Sequence, residues 1–281
     1  MTRLIQFVFR IILFFDTRFL TQGSKESLNR KEIKRILLVN TTAMGDTLLS
    51  TPAIRAVRKE FSEAYIASLV HVKQKDVLKN NPRINELVIY SGKYRGLLRL
   101  IRRLRKKKFD LVIVLHANDP DIVPIIYLTG ARYRVGWAES KFSFLFTHTF
   151  KRPENKILHT IDQRFGILES IGIVSDSVEM EYFFNEKEIR FSDNFLKRNN
   201  ISENDILIGL HPFGSLESKA WPNYIDFIEK ISKEDRFKLV LIGGKKHERE
   251  VFENRSKIGN KIISAVGKTY VGETAAIVID G

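Results

Sequence analysis

Short apolar runs alternate with longer stretches in which apolar residues recur at helical spacing, from residue 36 onward. The runs Ile36–Asn40, Ala64–Val70, Glu86–Tyr90, Asp110–Leu115 and Tyr133–Gly136 predict strands. Between them, Asp46–Lys59, Gln74–Asn80, Lys93–Lys107 and Asp119–Thr129 predict helices. The connections are short and carry breakers such as Asn81-Pro82 and Gly130. Such alternation predicts an α/β fold with a parallel, doubly wound sheet and right-handed crossovers. Residues 137–160 lose the rhythm: they are aromatic and basic and contain Pro153. A helical pattern over Ile157–Ile171 then leads out of the first series. A second series follows, with helix Glu186–Arg198, strand Ile206–Leu210, helix Tyr224–Ser232, strand Phe237–Ile242, helix Lys246–Ile258 and strand Lys261–Ser264. The stretch Thr274–Ile279 reads as a last helix. The expected organisation is a basic N-terminal segment and linker over 1–34, a first Rossmann-like domain over 35–172, and a second, incomplete one over 173–281.

Residues 1–20 do not fit either series. They are rich in Phe, Ile and Leu but interrupted by Arg3, Arg10, Asp16 and Arg18. The apolar run Ile11–Phe15 is far below the roughly 20 residues that span a bilayer. The segment reads as a helix lying in a membrane interface, with a helix packed on the protein's own surface as the alternative. Charge points the same way. The net charge is +14, which favours anionic partners. One basic cluster, Arg102, Arg103, Arg105, Lys106, Lys107 and Lys108, shares its helix with Leu97, Leu98, Leu100, Ile101 and Leu104, and reads first as a solvated helix face. No zinc-finger spacing or aromatic RNA-binding motif accompanies it, so no nucleic-acid partner is expected. The absence of cysteine excludes disulfides, thiolate metal sites and a cysteine nucleophile.

Chemistry gathers where strands end. After Ile36–Val39 a small polar loop leads to Gly45-Asp46. In open α/β sheets ligands bind beyond the carboxyl ends of the strands. Asp46 is therefore either a catalytic carboxylate or a helix cap, and one residue can serve as both. After Leu210, the segment His211–Pro222 carries Gly214, Ser215 and Ser218 and delivers Lys219 just before Trp221-Pro222, where the sequence predicts a helix start. Amides, hydroxyls and a lysine at a helix N-terminus suit a diphosphate, while a plain Gly/Ser turn with a solvated lysine is the alternative. The order of a Walker A loop is absent. After Ile242, Gly243-Gly244 would let a ligand approach the backbone, and Glu248 could accept from ribose hydroxyls or merely complement a helix dipole. His247 has no partner at metal-ligand spacing and reads as a surface histidine, so no metal site is expected.

These pieces, in this order, resemble glycosyltransferase family 9, the lipopolysaccharide heptosyltransferases. The resemblance rests on residues 36–58, Asn81–Glu86, Phe109–Ile113, Gly130-Ala131 with Arg134–Gly136, His211–Gly214 with Ser218–Pro222, and Leu241–Gly244 with His247-Glu248 and Gly267–Thr269. It implies a GT-B architecture, two Rossmann-like domains facing across a cleft, with the acceptor held by the first and a nucleotide-sugar, usually ADP-heptose, by the second. It also implies an inverting transfer with no bound metal and no further cofactor. By motif match Asp46 would be the general base, Lys219 with Ser215 or Ser218 would hold the donor phosphates, and Glu248 would lie near the ribose, beside Gly243 and Gly244. Family members continue past Gly267-Lys268-Thr269 to an Asp-Ser/Thr-Gly-x-x-His segment, which does not occur here before Gly281. The donor side is therefore expected to be incomplete, in a fragment or in a shortened chain.

The expected function is heptosyl transfer to an anionic, lipopolysaccharide-core-like glycolipid at the inner face of the cytoplasmic membrane, with peripheral contact through residues 1–20. A shortened, inactive homologue that still binds is one alternative. A basic nucleic-acid-binding protein is another.

Overall fold

A computed structural model describes residues 27–92, 96–116, 122–154, 157–214, 216–234, 236–259 and 262–280. The N-terminal segment expected to contact a membrane, residues 1–20, lies outside the described residues, as does Ser215. Among the described residues no helix is long and apolar enough to cross a membrane. The chain divides into two compact units between Phe183 and Phe184.

The first unit runs β1 (Arg35–Asn40), α1 (Met44–Leu48), α2 (Thr51–Glu60), β2 (Tyr65–His71), α3 (Lys75–Leu78), β3 (Glu86–Tyr90), α4 (Leu97–Lys106), β4 (Leu111–Val114), α5 (Ile122–Tyr127), β5 (Tyr133–Trp137), β6 (His148–Phe150) and α6 (Thr160–Glu169). All strand pairs are parallel, in the order β3-β2-β1-β4-β5-β6. The apolar runs are continuous because the central strands are covered on both faces. Ile36 and Leu38 of β1 pack with Ile54 and Val57 of α2 and with Ile167 and Leu168 of α6. Leu37 and Val39 point the other way, into Leu100 and Leu104 of α4 and Ile122, Ile125 and Ile126 of α5. Each such fully buried side chain contributes about 1.5–3 kcal/mol.

Within this unit two details differ from the pattern read in the sequence. Asp46–Lys59 is not one helix. It breaks at Leu49-Ser50, where the Ser50 N–H bonds Thr47 O at 3.2 Å and the Ser50 hydroxyl bonds Asp46 O at 2.8 Å. Pro52, which has no N–H to donate, sits in the first turn of α2 and enforces the restart. Within the irregular stretch 137–160, the sheet gains the short edge strand β6, reached from β5 through a 3-10 turn at Ser143–Leu145 instead of a helix.

The second unit runs α7 (Glu186–Arg198), β7 (Ile206–Leu210), α8 (Tyr224–Ile231), β8 (Phe237–Leu241), α9 (Glu248–Glu253), α10 (Arg255–Ile258), β9 (Ile262–Ser264) and α11 (Val271–Asp280). Its described strands form a parallel sheet in the order β7-β8-β9. Helix α7 starts in a reciprocal capping box: Asn185 Oδ1 accepts from Glu188 N at 3.0 Å, and Glu188 Oε2 accepts from Asn185 N at 2.9 Å. The core is small, with Leu210, Phe213, Tyr224, Ile228, Leu241, Ile258 and Val266.

Candidate functional site

The order of the first sheet reverses direction between β1 and β4, and the loops at the carboxyl ends of these two strands flank that switch point. The β1 loop carries Asp46. It is not the N-cap of α1, which is Ala43, but the third residue of the helix, and its carboxylate reaches back to the Ala43 N–H at 3.4 Å. Ala43 has no side-chain oxygen to return, so only the acidic half of a capping box is present. The carboxylate remains 40% exposed.

The backbone carbonyl of Asp46 is held far more firmly than its side chain. It accepts from Asn40 Nδ2 at 3.0 Å, from Ser50 Oγ at 2.8 Å and from Arg164 Nη2 at 2.8 Å. The helix break at Ser50 is what frees this carbonyl from the helical ladder. Arg164, on α6 and only 2% exposed, also donates from Nε to Ser50 Oγ at 2.6 Å and from Nη1 to Thr160 O at 2.8 Å. Its Nη2 lies 3.6 Å from Asp46 Oδ1. A rigid cationic fork thus fixes the loop from below and leaves the carboxylate oxygens open to solvent. Sequence reasoning missed Arg164, although a signal existed. It occupies a core position between Ile161 and Leu168 on a helix, where a charge is rarely buried without a partner.

His116, just beyond β4, is the second residue missed. It is buried, its Nε2 lies 3.1 Å from Thr41 Oγ1, and its Nδ1 has no hydrogen-bond partner among the described residues. Burial, helped by the nearby Arg164 cation and only partly opposed by Asp46, pushes the imidazole down to about 4 from an ordinary 6.5. His116 is therefore neutral at pH 7. Because the unfolded chain binds this proton more tightly, its contribution to stability is complete above about pH 6.5. It is lost as pH falls toward 4, by roughly 3 kcal/mol in all. Urea unfolding at stepped pH should show this loss in the wild type and a flatter profile in His116→Gln between pH 6.5 and 4.5. Equal slopes would remove His116 as the cause.

In the second unit the loops after β7, β8 and β9 converge. The β7 loop closes on itself, with Trp221 N–H bonding Pro212 O at 2.9 Å. This ties Trp221 to the loop, and helix α8 begins only at Tyr224, so Pro222 is not its first residue. Lys219 ends a 3-10 turn, Glu217–Lys219, instead of preceding the helix directly, and both Ser218 and Lys219 are exposed. Gly214 is required here: a Cβ would lie 2.4 Å from Leu216 O and 2.6 Å from Lys219 C. Gly243 does not leave room for a ligand, because a Cβ there would strike the Phe213 ring at 2.7 Å; Gly244 alone faces open space. Phe213 stacks on His247 at 4.3 Å between ring centroids. Glu248 opens α9, and its exposed carboxylate lies against Gly267, where a Cβ would come within 2.1 Å of Glu248 Oε1. Gly267 has a φ of +71° and donates its N–H to Gly243 O at 2.9 Å. The structure thus brings Gly243, Glu248 and the Gly267-Lys268-Thr269 turn together around the Phe213–His247 stack, with the Lys219 loop rooted in the same β7 end.

A sequence model of glycosyltransferase family 9 (heptosyltransferase) matches residues 97–280, well over half of the chain. Lipopolysaccharide heptosyltransferase 3 of Escherichia coli K12 is 26% identical over 200 residues, covering 64% of this chain and 54% of that protein. A second E. coli protein of that name is 33% identical over 149 residues, covering 47% of this chain and 41% of its own. The chain thus spans about half the length of the curated relatives it matches. Among solved structures, a glycosyltransferase family 9 protein from Veillonella parvula superposes with a TM-score of 0.74 at 25% identity, covering 90% of this chain and 74% of that one. The E. coli ADP-heptose lipopolysaccharide heptosyltransferase II gives a TM-score of 0.71 at 18% identity, covering 87% and 76%. An E. coli heptosyltransferase solved with ADP-2-deoxy-2-fluoro heptose gives 0.65 at 15%, covering 87% and 79%. The fold class is that of these GT-B glycosyltransferases.

Proposed function

The chain belongs to glycosyltransferase family 9, and on that premise we propose that it transfers a heptose, or a closely related sugar, from a nucleoside-diphosphate sugar of the ADP-heptose type to a hydroxyl of a lipopolysaccharide-core-like acceptor. The observation that carries the reading is Asp46. Its backbone is fixed by Asn40, Ser50 and Arg164 while its carboxylate stays open beside the switch point of the first sheet. A carboxylate so placed can take the proton of an acceptor hydroxyl as its oxygen bonds to the anomeric carbon. The C–O bond to the diphosphate then breaks on the opposite face, and the configuration inverts. The departing diphosphate needs positive charge, which the exposed Lys219 can provide without a metal ion. On the same reading Ser218, exposed one residue before Lys219, assists, Ser215 is assigned with it from the sequence alone, and Glu248 beside the Gly267 turn is suited to ribose hydroxyls. On this reading the reaction takes place at the inner face of the cytoplasmic membrane, and residues 1–20 would make a peripheral contact there. The E. coli fold relative solved with an ADP-heptose analogue supports the choice of donor.

The test is a donor screen by protection against heat, followed by mass detection of the transferred sugar. ADP-heptose should raise the unfolding temperature more than uridine- or guanosine-diphosphate sugars do. Lys219→Ala should weaken the donor affinity read from this protection roughly tenfold to a hundredfold, the worth of one charge-assisted phosphate contact. Equal protection by all donors, or an unchanged response in Lys219→Ala, would remove the donor assignment.

A further inference from the structure

Helix α4 carries a surface that the transferase reading does not use. Leu100 and Leu104 are buried, and Leu97 and Ile101 pack beside them, so the opposite side of the helix faces out. That side presents Arg99, Arg102, Arg105 and Lys106, all exposed, and Leu98 at 69% exposure. Leu98, Arg102 and Arg105 form one row at helical spacing, and Arg99, Arg102 and Lys106 form the row beside it. The helix contains no acidic residue. The nearby carboxylate, Glu86, is taken by Arg103 at 2.8 Å, by Lys107 and by the Tyr65 hydroxyl. Among the described residues none pairs with Arg99, Arg102, Arg105 or Lys106.

Two features decide what this face fits. A cluster of unpaired cations seeks a dense anionic surface, and an exposed leucine set among them suits the boundary between headgroups and acyl chains. Among the described residues this face of α4 has no aromatic ring on which a base could stack and no amide side chain to read one, which counts against nucleic acid. We propose that the outer face of α4 docks on an anionic phospholipid bilayer, as a contact separate from residues 1–20.

The experiment uses the full chain and vesicles of phosphatidylcholine, with and without an equal part of phosphatidylglycerol. The variant is Arg99→Gln/Arg102→Gln/Lys106→Gln. The N-terminal segment is present in both proteins, so its contribution cancels. Each surface cation is worth about fivefold in partitioning, so the triple variant should bind the anionic vesicles on the order of a hundredfold more weakly. Its heat unfolding should be unchanged, because these side chains are exposed and have no partner among the described residues. Adding salt should narrow the gap between the two proteins. Undiminished binding of the variant would overturn the proposal, as would equal binding of the wild type to neutral and anionic vesicles. Tighter binding to a single-stranded oligonucleotide than to the anionic vesicles, lost in the same variant, would overturn the choice of lipid. Transfer to a water-soluble acceptor fragment does not depend on this contact, so failure here leaves the transferase reading standing.

Discussion

Asp46→Asn should lower kcat by about 10²–10⁴-fold while leaving donor protection against heat unchanged. Asparagine keeps the shape of the side chain, and its amide oxygen can still accept from the Ala43 N–H, now 3.4 Å from the carboxylate. The loop geometry is not at risk, because the three bonds that fix it end on the backbone carbonyl of residue 46. What is lost is the ability to receive a proton. Asp46→Glu separates position from charge: the added methylene displaces the carboxylate by about an ångström, which is worth up to about 10²-fold. Single-turnover measurements with saturating donor would show both effects in the chemical step. Near wild-type turnover in Asp46→Asn would exclude Asp46 as the base and return it to a helix-end role.

Most of the first unit was legible because its strands are covered on both sides, so each is a continuous apolar run such as Ile36–Val39. The rule that sites lie beyond such runs led to Asp46, and the same rule applied to Asp110–Leu115 would have led to His116. Edge strand β6 was not legible. It is short, only partly buried, and contains His148 and Thr149, so it carries neither an apolar run nor a clear alternation. The interruption between α1 and α2 depends on a tertiary circumstance, Ser50 bonding Asp46 O with Arg164 beside it, and periodicity cannot register that. Trp221-Pro222 has the form of a helix start, yet a single backbone bond from Trp221 to Pro212 holds it in the loop. Arg164 lies 118 residues from Asp46. Its anomaly at a core position was visible in the sequence, but its partner was not. The Phe213–His247 stack likewise needs the β7 and β8 loops to be adjacent, and it explains why Gly243 is small without invoking a ligand.

Arg164→Ala is the second large effect, and it separates positioning from folding. The substitution removes a guanidinium that is 2% exposed and makes hydrogen bonds to Ser50, Thr160 and Asp46. It does not strand a charge, since the Asp46 carboxylate is 40% exposed and can be hydrated. Nor does it orphan the Asp46 carbonyl, which keeps Asn40 and Ser50. The cost is therefore the lost bonds and the cavity, about 2–4 kcal/mol in urea unfolding, below the penalty for breaking a fully buried pair. Turnover should fall further than stability implies. With one of three restraints gone, the β1 loop can shift, and a displacement near one ångström costs about 10²-fold in kcat with little change in donor KM. Arg164→Lys keeps the charge but not the fork, so it should retain much of the stability and regain only a small part of kcat. Millimolar guanidinium should restore activity in part to Arg164→Ala, where it can enter the vacated space, and not to Arg164→Met, where that space is filled. A fall in stability with kcat unchanged, under conditions where both variants stay folded, would make Arg164 a packing residue only and would leave Asp46 held well enough by Asn40 and Ser50.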